Sequence, residues 1–257
     1  MIDTHCHLDT PAFDVDRGVV IERARTAGVS GILVPAIRPR TWPALLALVR
    51  ASGGYLRAAI GIHPQIVPEL GDDELAGDLV ARLCAHADDA CAVGECGLDG
   101  GTGAHELQER VFRAHVRAAR TLGKPLVVHV LRAHDLAPRV LREESARDVG
   151  GILHSYSGGA ELVPVYRDLG MAFSFAGPVT YPNARRPLEA ARAVPADALL
   201  AETDAPDQAP AAHRGGRSEP AFLVDVVGGL ASARGQDLPA VTALVTANAR
   251  RILSWPA

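Results

Sequence analysis

The chain has 257 residues and a net charge of −4; 48% of it is hydrophobic and 22% charged. That is an ordinary globular composition, with no basic excess to announce a nucleic-acid surface, although a metal site supplies local positive charge that a residue count misses. The length suits one domain, 1–257, because α/β barrels run near this size.

Short apolar runs alternate with stretches of helical periodicity. MIDTHCHLD opens the chain and carries His5 and His7; DRGVVIERARTAG follows as a helix. GVSGILVPAI, the helical TWPALLALVRAS and the run LRAAIGIHP come next, the last ending at His63. DDELAGDLVARLCAHA reads as one helix. ACAVGECGLD then carries Glu95 and Asp99. HELQERVFRAHVRAARTLG stops at Gly123, the residue type expected just past a helix end. KPLVVHVL holds His129 and GGILHSYSG holds His154; AELVPVYRDLG then stops at Gly170. MAFSFAG and ALLAETDAP complete eight runs, the last carrying Glu202 and Asp204. Two helical stretches, EPAFLVDVVGGLASAR and DLPAVTALVTANARRIL, finish the chain.

Apolar strands separated by helices imply a parallel sheet covered on both faces. Eight such units in one domain favour a closed (β/α)₈ TIM barrel over an open doubly wound sheet, and no G-x-G-x-x-G follows the first run. The four cysteines, Cys6, Cys84, Cys91 and Cys96, form no CxxC and read as reduced thiols. With no signal-peptide pattern and no bilayer-length apolar stretch, a cytoplasmic protein is expected, with no membrane contact and no obligate protein partner. Lys124 is the only lysine, and the arginine bias runs along the whole chain rather than in one patch.

Nearly every apolar run ends in ionisable residues, which are costly to bury without partners. In a (β/α)₈ barrel the C-terminal strand ends converge on one face. His5 and His7, two apart on a strand, point the same way. The converging set is His5, His7, Glu95, His129, His154 and Asp204. Imidazoles mixed with carboxylates suit a transition metal better than calcium. Six ligands exceed the need of one tetrahedral ion, and a carboxylate-bridged pair of divalent cations (Zn, Mn, Mg, Co or Fe) would use them all. Taken singly, each histidine is equally a hydrogen-bonded core or loop residue; the joint placement carries the reading. His86, His105, His115 and His213 lie in helical or loop stretches and read as plain surface or helix positions.

IDTHCHLD, GIHP, GECGLD, the histidine of PLVVHV, HSYSGG and LLAETDAPD resemble, in order, the motifs of the TatD family of metal-dependent deoxyribonucleases, from Ile2 to about Leu253. THCHLD, RAHD, TYP and TDAPD are most similar to its YjjV-like branch. The resemblance implies a metal-dependent hydrolase barrel with two divalent cations. It implies His5, His7 and Asp204 on the first ion, Glu95 bridging, and His129 and His154 on the second. Two departures stand out. Where the family often has His-Ser-Arg, this chain has His129-Val130-Leu131, with Arg132 displaced by one place. GGRSEP places Ser218 where the family usually has asparagine.

The expected reaction is hydrolysis of DNA, single-stranded or at strand ends, by water activated between two cations. Asp204 and Glu95 are the catalytic candidates, with Asp204 taking the proton. His63 and Arg217 are candidates for a phosphate oxygen, with a loop salt bridge an equal alternative for Arg217. Asp99 is a candidate for orienting a histidine or a loop arginine. Tyr156 reads first as a packed loop residue and second as a stacking face for a base or sugar. The alternative keeps the centre and changes the substrate to a small ester, lactone or amide.

Overall fold

The computed structural model describes residues 1–256. Eight strands pair in chain order, each parallel to the next. They are β1 (Ile2–Asp3), β2 (Gly31–Pro35), β3 (Leu56–Ile60), β4 (Ala92–Asp99), β5 (Leu126–Leu131), β6 (Gly151–Leu153), β7 (Met171–Phe175) and β8 (Leu199–Ala201). The ring closes from β8 to β1. The Ala201 carbonyl accepts the Thr4 N–H at 3.3 Å, and the His5 carbonyl accepts the Asp204 N–H at 2.9 Å. The expected (β/α)₈ barrel is the observed fold.

β2, β4 and β7 are buried along their whole length, because helices cover the outer face while side chains fill the inside. The helices are α1 (Arg17–Thr26), α2 (Trp42–Ala51), α3 (Asp72–Leu75), α4 (Leu79–His86), α5 (His105–Leu122), α6 (Ala137–Glu143), α7 (Val163–Asp168), α8 (Arg185–Ala193), α9 (Leu223–Arg234) and α10 (Leu238–Ile252). α5 is the longest and packs Val111, Phe112, Val116 and Ala119 inward at helical spacing. It stops where Gly123 turns left-handed, at φ 63°.

Four elements differ from the sequence reading. The single helix expected over 72–87 is two, because the Asp78 carboxylate caps a fresh start by accepting the N–H groups of Val80 and Ala81. α6 and α8 are additional. α8 buries only Ala190 and Ala191, so it has no large apolar stripe to read. β1 is shorter than its apolar run, since the chain leaves the regular ladder after Asp3 to carry His5 and His7 around the ring closure. No helix among the described residues is long and apolar enough to cross a membrane.

Candidate metal centre

The C-terminal strand ends bring His5, His7, His63, Glu95, His129, His154 and Asp204 together. Glu95 lies at the centre and is fully buried. A bulge in β4 puts it there: Gly94 pairs with Val127 and Cys96 with Val128, so Glu95 has no partner on β5. Such a bulge re-aims a side chain. Glycine on either side lets β5 come this close. A Cβ on Gly97, at φ 136°, would lie 2.0 Å from the His129 carbonyl oxygen.

The two oxygens of Glu95 face different histidines. Oε2 lies 3.0 Å from His5 Nε2 and 3.5 Å from His7 Nε2. Oε1 lies 2.9 Å from His154 Nε2, 3.2 Å from His129 Nδ1 and 2.9 Å from His63 Nε2. Asp204 joins the first group, its Oδ1 being 3.6 Å from His5 Nε2 and 3.7 Å from His7 Nε2. His129 and His154 lie side by side, Nδ1 to Nε2 at 3.0 Å. His5, His7 and Glu95 thus form one set of close ligand atoms, and His63, Glu95 and His129 another.

These groups fit a cation better than they fit one another. Both Glu95 oxygens are buried without a hydrogen-bond partner, although five imidazoles stand within 3.5 Å. An unpartnered buried carboxylate is costly, and a bound metal removes the cost. Burial alone would raise Glu95, yet the imidazoles of His63, His154 and His5 hold its carboxyl well below the usual range. Burial and the neighbouring His5 push His7 down to about 3, which leaves its ring neutral with a lone pair to give. Burial lifts Asp204 to about 6.

The outer nitrogens of the second group meet acids. His129 Nε2 lies 3.3 Å from Asp99 Oδ2, and His154 Nδ1 lies 3.3 Å from Glu202 Oε1. Carboxylates in that position fix a ligand ring and raise its basicity. The close His129 imidazole, and Gln65 Nε2 donating at 2.8 Å, hold the Asp99 carboxyl well below the ordinary carboxylate range.

His63 is fixed from behind. Its Nδ1 accepts the Gln65 N–H at 3.1 Å, which leaves Nε2 to carry the proton. The loop before it is stitched down by Trp42, which donates to the Gly61 carbonyl at 2.9 Å, and by His115. His115 is a correction to the sequence reading. Far from a plain helix position, it is fully buried in α5, accepts the Ile62 N–H on Nε2 at 3.0 Å and donates from Nδ1 to the Val111 carbonyl at 2.7 Å.

Arg217 and Tyr156 both have other partners. Arg217 does not line the cavity; its guanidinium donates to Asp16, Glu219 and the Ala12 carbonyl and lies over Phe13. The Tyr156 ring packs in a T-shaped contact with Phe173 and donates its hydroxyl to the Gly159 carbonyl, a packed loop position. Three contributors carried no signal in the sequence: Gln65, Gln208 and Ser155, whose residue types are common in loops. Gln208 donates to Asp204 Oδ2 and accepts from Ser155 Oγ at 2.8 Å.

Above the centre opens a cavity of about 810 Å³, walled largely by Pro11, Ile37, Ile66, Leu131, Pro178 and Pro206. No arginine or lysine lines it among the described residues.

Comparison with known proteins places this geometry in a family. Residues 2–254 match the family model "TatD related DNase". The metal-dependent hydrolase YabD of Bacillus subtilis, itself uncharacterized, is 33% identical, with 98% of each chain covered. The 3′-5′ ssDNA/RNA exonuclease TatD of Pantoea vagans is 32% identical, again over 98% of each chain. The crystal structure of the TatD homologue YjjV from Escherichia coli K12 superposes with a TM-score of 0.91 at 29% identity, covering 100% of this chain and 98% of that one. A single barrel, a buried carboxylate flanked by two groups of histidines and a match along essentially the full chain together make this protein a member of the TatD family of metal-dependent hydrolases.

Proposed function

We propose that the centre holds two divalent cations with Glu95 between them, and that the protein hydrolyses a phosphodiester bond at the end of a DNA strand. One observation carries the reading: the two oxygens of a single buried glutamate face separate histidine groups, His5 and His7 on one side, His129 and His154 on the other. Asp204 belongs with the first group. Cations bound there would supply Lewis-acid polarisation of the scissile group and a more acidic water. The chain's own residues do the rest. Asp204, near 6 by burial, accepts the proton of the attacking water. His63, with its proton on Nε2, donates to a phosphate oxygen. The exonuclease from Pantoea vagans supports the nucleic-acid reading.

A second reading follows from the walls. With no cation in the lining and Arg217 bound elsewhere, a small neutral ester, lactone or amide would also fit. The test is metal analysis of purified protein, with hydrolysis of end-labelled single-stranded DNA and of an ester and lactone panel, each with and without chelator. Chelator-sensitive shortening of the DNA supports the first reading. Turnover confined to the esters or lactones replaces it with the second.

A further inference from the structure

We infer that Gln208 and Ser155 form a positioning pair that decides which oxygen of Asp204 faces the metal centre; the inference rests on the reading of that centre given above. Gln208 lines the cavity four residues after Asp204 and donates from Nε2 to Asp204 Oδ2. Ser155 donates from Oγ to Gln208 Oε1 at 2.8 Å. The amide has one workable orientation. Turned over, its oxygen would face a carboxylate oxygen, and neither can donate. With Oδ2 engaged, Oδ1 is left toward His5 and His7, at 3.6 and 3.7 Å from their Nε2 atoms. A free aspartate carboxylate has a broad, roughly two-fold torsion and would not hold this choice.

The backbone is committed to the arrangement. Ser155, Asp204 and Gln208 all lie in the left-handed region, at φ 40°, 51° and 50°. Non-glycine residues stay there only where their surroundings over-determine them, and such residues gather at functional sites. Ser155 also reaches the other half of the centre. Its N–H donates to Glu202 Oε1 at 2.5 Å, and that oxygen stands 3.3 Å from His154 Nδ1. One residue therefore touches the partners of two proposed ligands that face opposite oxygens of Glu95.

The test is calorimetric titration of metal-free protein with Mn²⁺ and with Zn²⁺, without substrate, so that the readout is affinity and stoichiometry. Partners of metal ligands typically contribute about 10–100-fold in affinity. Gln208→Ala is expected to weaken one of two binding events by about tenfold or more and leave the other near its original strength. Gln208→Asn, which tolerates the left-handed backbone but is one methylene too short, should do the same. Ser155→Ala should weaken the same event less, and the double variant should match Gln208→Ala alone, because Ser155 acts on Asp204 through Gln208. Thermal melts establish that each variant is folded. Wild-type affinity in both Gln208 variants, or additive losses in the double variant, would overturn the inference while leaving the centre standing. Failure of the wild-type protein to take up either metal would overturn the centre itself and the inference with it.

Discussion

The floor of the cavity is built from five histidines, Glu95 and Asp204, whereas its wall mixes proline, isoleucine and leucine with uncharged polar side chains such as Thr10, Gln65 and Ser157. The floor residues sit at or just past strand ends, and the barrel holds them to its own geometry. Three of them have an acid or amide behind them: Asp99 behind His129, Glu202 behind His154, Gln208 behind Asp204. The wall has no arginine or lysine among the described residues. Bond-breaking power and substrate choice are therefore carried by different parts of the chain. The first is tied to the strand ends of the barrel; the second lies in segments that tolerate substitution.

Breaking the floor should give the largest effect. Glu95→Gln keeps the shape but removes the charge that both histidine groups face. Metal content and hydrolysis should fall together by more than about 100-fold, beyond what loss of a ligand's partner costs. Metal analysis beside a rate measurement checks this. Asp99→Asn and Glu202→Gln should each weaken metal binding by about 10–100-fold, because the ring behind the ligand loses its acid. Equal effects at both positions would sharpen the view that the second group is held as a unit.

The support beneath the floor should respond to pH. Burial pushes His115 down from 6.5 to about 4. The unfolded chain then binds the proton more readily than the folded one over that interval, so stability is complete above pH 6.5 and declines as the pH falls toward 4. His115→Gln should flatten this decline by about 1–3 kcal/mol, seen in denaturant unfolding at stepped pH. The smallest effect belongs to the wall side. Arg217→Ala should leave hydrolysis within about twofold and cost at most about 1 kcal/mol of stability, since its ion pairs with Asp16 and Glu219 are largely solvent-screened. A large rise in KM for DNA in this variant would give Arg217 back the phosphate role that the geometry denies it.

How much was legible follows the same division. His5, His7, Glu95, His129, His154 and Asp204 could be singled out in the sequence because their joint placement at five strand ends, rather than any one of them, carries the signal: five such ends in one barrel converge on one face. Asp99 was readable as a partner, since it lies four residues beyond Glu95 on the same strand end. For Arg217 the sequence left a phosphate contact and a loop salt bridge equally open, because one of its partners, Asp16, is 201 positions away. Gln208 and Ser155 were invisible because neither residue type implies chemistry until its neighbours are known. His115 looked ordinary since a helix pattern does not say which backbone N–H a buried imidazole will satisfy. The eight strands were clear from their apolar runs, while α8 escaped because alanine forms its buried face.

The most direct test is anomalous diffraction from crystals grown with Mn²⁺ or Zn²⁺. Two peaks are expected, one on each side of Glu95, separated by roughly 3.5–4 Å. One should lie among His5, His7 and Asp204, the other beside His129 and His154. A single peak, or metal bound with Glu95 outside its coordination sphere, would contradict the two-cation centre.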